Sequence, residues 1–248
     1  MSIFVGCAGW TLRSDTAAEF SPLGTHLERY ASRFHCVEIN SSFYRPHQRK
    51  TYLRWAASTP DDFRFSVKAP KTITHEQRLV DVESLIDGFL AGVTGLGAKL
   101  GPILIQLPPS LAFDANHARL AFAQFRTRAP SPIVCEPRHR SWFEPEADAL
   151  LQQYKIGRVA ADPSLVPAAA DPAGCQQTCY FRWHGSPRVY YSGYGDETLR
   201  ELATRLQGLT TVAQDVWCIF DNTAAGEAIR NALTVQSLTQ SNMAVSPE

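Results

Sequence analysis

Residues 101–140 read GPILIQLPPSLAFDANHARLAFAQFRTRAPSPIVCEPRHR. An apolar run, Pro102 to Gln106, stops at a Pro-Pro turn. A stretch with helical spacing of apolar residues, His117 to Thr127, follows, and a second apolar run, Ile133 to Glu136, stops at Pro137. Strand, helix and strand in this order are the pattern of βα units on a parallel sheet. Working outward, further strand candidates lie at Ile3 to Ala8, Cys36 to Asn40, Arg64 to Lys68, Gly157 to Ala161, Tyr180 to His184 and Val216 to Phe220, with amphipathic stretches between them. Residues 163–178 form a loop, because Pro163, Pro167, Pro172 and Gly174 leave no room for a long helix. Eight units in 248 residues have the period and size of a single-domain α/β protein of the (β/α)8 TIM-barrel type, with an open doubly wound sheet as the alternative. The domain is expected over residues 1–236, with a polar, flexible tail over 237–248.

The chain is 44% hydrophobic and 19% charged, and its 24 Lys+Arg balance 24 Asp+Glu. This composition is globular and excludes disordered, collagenous and coiled-coil classes. It supplies no bulk positive field, so binding to nucleic acid or a membrane surface would need a local basic patch. Cys7, Cys36, Cys135 and Cys218 lie in or beside apolar runs and read as reduced core residues. Cys175 and Cys179 stand four apart with no second pair, a poor zinc set. Met1 to Trp10 has no basic start before its apolar run, and no stretch has the length of a membrane helix, so a cytoplasmic location without a membrane partner is expected.

Side chains two apart share one face of a strand. Glu38 shares a face with Asn40, Ser66 with Lys68, Glu136 with Arg138, and Arg182 with His184; Gln106 ends the fourth run, while Asp162 and Asn222 follow the sixth and eighth. Polar groups thus gather at the carboxyl ends of the strands, where parallel α/β folds bind ligands. Two readings compete. The charges are buried pairs that order the top layer without chemistry, or they line a pocket for a small polar or anionic molecule. On the second reading Lys68, Arg138 and Arg182 are clamps, Glu136 or Glu38 is the base, His184 or His139 is the acid, and Asn40, Gln106, Asp162 and Asn222 bind substrate.

Aromatic candidates sit beside these groups. Trp10 and Trp142 each follow a strand end and could stack on a ligand or cap the barrel. Tyr190, Tyr191 and Tyr194 follow the seventh strand as an aromatic wall or a packed loop, with Tyr194 assigned to the site. Thr74-His75 lies within reach of the mouth. Loops after the seventh and eighth strands often hold phosphate in barrels, which gives Gly185 and Ser186 an anion role, whereas Asn222-Thr223 also suits helix capping.

Together these stretches resemble the DUF72 or YecE-like proteins. The matching motifs are Gly6-Cys7-Ala8-Gly9-Trp10, Val37-Glu38-Ile39-Asn40-Ser41-Ser42-Phe43-Tyr44, Phe63 to Pro70 with Thr74-His75, and Gln106-Leu107-Pro108-Pro109-Ser110. Further on come Glu136-Pro137-Arg138-His139 with Ser141-Trp142-Phe143, Ala161-Asp162, Arg182-Trp183-His184-Gly185, Tyr191-Ser192-Gly193-Tyr194 and Phe220-Asp221-Asn222. The resemblance implies a (β/α)8 barrel and brings no reaction with it. Departures from the usual pattern are the loop Thr11 to Ser21, which lacks Tyr and Trp, and Pro137 and Asp221, which stand where Phe and Asn are usual. Asp221 argues against a phosphate beside it.

The leading expectation is an enzyme of hydrolase, lyase or isomerase type, using general acid/base chemistry on a small polar or anionic substrate, with no cofactor. An alternative is metal-assisted phosphodiester hydrolysis on nucleic acid, as in barrels resembling endonuclease IV, with Glu38, Glu136, Asp162, His139 and His184 holding a divalent metal. Zero net charge and competition from Lys68 and Arg138 weigh against it. A third is a ligand-binding protein without turnover. The sequence specifies no oligomeric state.

Overall fold

The computed structural model describes residues 2–243. In chain order the elements are β1 (Ser2–Cys7), α1 (His26–Ala31), β2 (Cys36–Ile39), α2 (Arg49–Ala57), β3 (Arg64–Lys68), α3 (Glu83–Val93), β4 (Leu100–Gln106), α4 (Ala115–Arg128) and β5 (Ile133–Glu136). They continue as α5 (Pro145–Gln153), β6 (Ile156–Arg158), β7 (Ala160–Asp162), β8 (Ala173–Gly174), β9 (Thr178–Trp183), α6 (Asp196–Leu209), β10 (Asp215–Phe220) and α7 (Glu227–Met243). Local chemistry sets the helix starts. Thr25 and Glu28 form a capping box on α1, and Asp114 Oδ1 accepts from the backbone of Asn116 and His117 at 2.9 Å to start α4. Leu199, Leu202, Ala203 and Leu206 recur at helical spacing and bury one face of α6.

The protein is a mixed α/β fold built on parallel sheets. One sheet runs β1-β10-β9-β7; the other runs β2-β3-β4-β5-β6, with the short β8 antiparallel on its β6 edge. The backbone ladder does not close into one sheet, and it is interrupted at two seams. At the first, the Tyr30 hydroxyl accepts from Cys7 N at 2.9 Å and donates to Cys36 O at 3.0 Å, standing between β1 and β2 where ladder bonds would run. Gly6 permits this approach, since a β-carbon there would meet Cys36 O at 2.4 Å. A single bridge, Ala8 to Glu38, links the strands above. At the second seam β6 follows β5 while β7 follows β9, and β8 occupies part of the β6 edge. The single predicted strand over 157–161 is therefore two pieces joined through Val159.

Two apolar clusters follow from strand alternation. The larger lies between the sheets and the helices, and includes Phe181, Trp183 and Phe220. The smaller, with Cys36, Leu104, Val134, Val159, Tyr180, Trp217 and Ile219, draws on both sheets. Residues of the same parity nearer the strand ends are Glu38, Gln106, Glu136, Arg182 and Asp221, so the inner face passes from apolar to charged toward the carboxyl ends. Residues 163–178 hold only a short turn, Pro167–Ala170, and β8, in keeping with the absence of a long helix. The expected tail needs correction: α7 runs on to Met243, because its apolar spacing continues past Val235, and residues 244–248 lie outside the described part. No helix among the described residues is long and apolar enough to cross a membrane.

Candidate functional site

Arg182, on β9, has no exposed surface and bonds three carboxylates. Its Nε and Nη2 donate to Glu38 Oε2 and Oε1 at 3.0 and 2.8 Å, Nη1 donates to Glu136 Oε2 at 2.6 Å, and Nη2 also donates to Asp221 Oδ2 at 3.0 Å. Two residues earlier on the same face, the Tyr180 hydroxyl donates to Glu38 Oε2 at 2.9 Å and lies 2.8 Å from Ser66 Oγ. A guanidinium offers five N–H groups in a planar fork, which suits this shared recognition.

Two residues later, His184 Nε2 lies 3.1 Å from Glu136 Oε1 and Nδ1 lies 3.1 Å from Asp221 Oδ2. An ionised carboxylate only accepts, so both ring nitrogens carry protons and the ring is an imidazolium. Burial pulls the His184 pKa down, but the Glu136 charge and the bond to Asp221 outweigh it and the net shift is upward. Burial alone would raise Glu136; Arg182, then Arg138 and His184, hold it well below the usual carboxylate range. Asp221 is likewise lowered, by Arg182 and His184 against burial.

Arg138 completes the group. Its Nε donates to Glu136 Oε1 at 2.9 Å, Nη1 reaches the Tyr190 hydroxyl at 3.4 Å, and Nη2 lies 3.3 Å from His184 Nε2. Tyr190 sits at φ 69°, a left-handed conformation that is strained for a bulky side chain, and its ring lies edge-on to His184. Gly185, at φ 95°, makes the turn between them.

Lys68 stands apart in kind. It is 6% exposed, its Nζ lies 4.0 Å from the centre of the Phe43 ring, and that ammonium makes no hydrogen bond or ion pair among the described residues. Burial and the charge of Arg182 bring its pKa down to about 8, against the pull of Glu38, Glu136 and Asp221. His75 packs edge-on against the same Phe43 ring, and burial followed by Lys68 and Arg138 lowers its pKa.

Among the expected residues, the structure thus brings together Glu38, Glu136, Arg138, Arg182 and His184, with Lys68 beside them. Gln106 is buried at the end of β4, opposite Glu136 in register, and Asn40 keeps a buried Oδ1; among the described residues neither the Gln106 side chain nor that oxygen has a hydrogen-bond partner. Others are elsewhere. His139 Nδ1 accepts from Ser141 N at 3.3 Å and lies 2.9 Å from its hydroxyl, capping the turn Arg140–Phe143 apart from the charge group around Arg182. Trp142 is buried in the outer core, donating to Leu111 O at 2.9 Å and packing on Phe113 and Phe122, and offers no ligand a face. Trp10 packs edge-on against Trp55. Asp162 and Tyr194 bind each other at 2.7 Å, while the Tyr194 hydroxyl accepts from Gly185 N, which makes them a loop lock. Asn222 Nδ2 donates to Ser192 O and Asn231 Oδ1, both at 2.9 Å, and anchors the loop after β9 to α7.

Every oxygen of Glu136 and Glu38 accepts from a cationic or phenolic donor, which weighs against either as a base. Asp221 is the member of this charge group that sequence reading missed as a site candidate. It lies two residues beyond inward-facing Ile219, so parity marks it where Asn222 was chosen. Arg182 lies between the three carboxylates, and among the described residues no three His, Cys, Asp or Glu side chains are grouped as a metal site.

A parallel α/β fold with its buried charges at the carboxyl ends of the strands is of the class that keeps its ligand site there. The chain belongs to the family described as "Protein of unknown function DUF72", which matches residues 4–248. It is similar to UPF0759 protein YunF of Bacillus subtilis (strain 168), 26% identical over 261 residues that cover 92% of each chain. It is also similar to UPF0759 protein YecE of Escherichia coli (strain K12), 36% identical over 175 residues, 67% of this chain and 61% of that one. Two crystallised DUF72 family proteins share the fold. The Enterococcus faecalis protein has a TM-score of 0.80 at 21% identity, covering 100% of this chain and 97% of its own. The Thermotoga maritima protein has a TM-score of 0.80 at 22% identity, covering 97% and 100%.

Proposed function

We propose that the two sheets form the wall of a closed (β/α)8 barrel, and that the protein is an enzyme that binds a small anionic substrate at its carboxyl-terminal face and moves a proton on it. Support for closure comes from the inner apolar cluster shared by both sheets and from Tyr30 bridging one seam. The six free cysteines, five of them buried, suit a reducing cytoplasm, and the proton chemistry asks for no cofactor.

The observation that carries the substrate class is Lys68. A nearly buried ammonium is costly unless paired, yet the nearby carboxylates are engaged by Arg182. With His184 protonated, Arg182, Arg138, Lys68 and His184 oppose Glu38, Glu136 and Asp221, a surplus of one positive charge that a bound anion neutralises. His184 is the acid. When its Nε2–H bond breaks and the proton passes to a substrate oxygen or nitrogen, the vacated lone pair lies 3.1 Å from Glu136 Oε1 and 3.3 Å from Arg138 Nη2, and Arg138 stabilises it by donating to it. Neutral His184 then takes a proton back as base. Glu136 and Asp221 orient the ring and remain ionised.

Thermal-shift measurements with inorganic phosphate, acetate and a library of small carboxylates test the reading. An anion raises the melting temperature of the wild type and not that of Lys68→Met, and a stabilising compound is turned over by the wild type and not by His184→Gln. Absence of any anion-induced shift overturns it.

A further inference from the structure

A cavity of about 320 Å³ opens beside the charge cluster, and its wall differs in kind from its floor. Glu136, Arg138 and His184 form the floor; the walls include Pro109, Pro137, Pro163, Leu165, Ala169 and Val189, from the segments after β4, β5, β7 and β9. Leu165 is 56% exposed and Val189 38% exposed, so apolar surface is left facing solvent at the rim. A cavity of about 150 Å³ already holds benzene, so this one is larger than acetate or phosphate requires.

The floor carries two cations and one carboxylate, which suits one negative charge, while Glu136 repels a second. Arg138 spends its Nε and Nη2 on Glu136 Oε1, each at 2.9 Å, and its Nη1 touches Tyr190 only at 3.4 Å, leaving the Nη1 N–H groups for a ligand; its side chain is 26% exposed. From this division we propose that the cavity takes a monocarboxylate joined to an apolar, aromatic or branched body, with the carboxylate on Arg138 and the body against Leu165 and Val189. The inference rests on the anion-binding reading above, with Lys68 contributing its charge from outside the cavity lining and Arg138 making the contact, and goes beyond it by naming the second half of the ligand.

Calorimetric titration with four probes tests it: 3-phenylpropanoate, acetate, 3-phenylpropan-1-ol and inorganic phosphate. Burying the phenyl ring should make 3-phenylpropanoate bind at least about tenfold more tightly than acetate, and it should also bind more tightly than the alcohol. Leu165→Ser, uncharged and at a position 56% exposed, should remove the preference over acetate while acetate binding persists. Arg138→Met should remove the preference over the alcohol. Equal binding of acetate and 3-phenylpropanoate overturns the inference and leaves the anion reading standing. Equal binding of acid and alcohol overturns it as well, since the charge then plays no part. If none of the three anions binds, both readings fall.

Discussion

Arg182 grips Glu38 through two parallel hydrogen bonds, Nε to Oε2 at 3.0 Å and Nη2 to Oε1 at 2.8 Å, with both side chains fully buried. Desolvating two charges is costly, and their attraction repays it only while both are present. Glu38→Gln keeps the volume and leaves the guanidinium short of one countercharge. We expect a loss of about 3–5 kcal/mol in unfolding free energy, measured by urea titration. A loss below about 1 kcal/mol, the usual scale of an exposed pair, would show that the arrangement does not hold the inner face together.

Lys68 predicts the opposite sign. Its folded-state pKa of about 8 lies below the ordinary 10.5, so between those values the unfolded chain binds a proton that the folded protein does not. This group's contribution to stability therefore rises with pH from about 8 to 10.5. Below that window the ammonium destabilises the fold by about 3 kcal/mol. Lys68→Met should raise the melting temperature at pH 7, lose the rise in alkaline stability, and lose the response to anions. A variant less stable than the wild type at pH 7 would contradict this, and would mean that the ammonium is paired.

Tyr194→Phe probes the loop that frames the site. The hydroxyl donates to Asp162 Oδ1 at 2.7 Å and accepts from Gly185 N at 2.8 Å. Removing it strands both partners in a half-buried setting, at a cost of about 1–3 kcal/mol. Limited proteolysis should then cut residues 185–194 faster than in the wild type. Unchanged cleavage and stability would show that the aromatic contacts of Tyr194 with Trp183 and Phe220 suffice.

Strand alternation explains how much the sequence revealed. Period-two spacing alone places Glu38, Glu136, Arg182 and His184 on one face near the strand ends, and the structure brings all four together. The same rule carried one strand further, from Trp217 and Ile219, reaches Asp221. Farther beyond a strand end the rule loses its hold, because loop geometry decides where the chain turns. Trp142, in the turn Arg140–Phe143 well past β5, therefore went to the outer core, and Asn222, past β10, to a loop anchor. Pairing is also invisible in a list of residues: that Glu136 is saturated by Arg182, Arg138 and His184, while the Lys68 ammonium faces the Phe43 ring and has no ion pair among the described residues, depends on distances. The break between β6 and β7 was hidden for a related reason, since Gly157-Arg158-Val159-Ala160-Ala161 carries no Pro or turn signal and only its partners change.

His184 sets the last prediction, which concerns acid and neutral stability. Its folded-state pKa is raised above the ordinary 6.5 because the Glu136 charge and the bond to Asp221 overcome burial. The imidazolium bridge between those carboxylates therefore contributes its full stabilisation below pH 6.5, and the contribution is lost as pH rises through the folded-state value. Unfolding free energy measured from pH 6 upward should fall over that range, after allowance for the opposite slope that Lys68 introduces above about 8. His184→Gln should flatten the decline. Glu136→Gln should move it to lower pH, because it removes the charge that raises the histidine, and NMR titration of the imidazole should report the same displacement directly. A decline that stays at the same pH in Glu136→Gln would mean that Asp221 alone holds the proton, and the acid role assigned to Nε2 would fail with it.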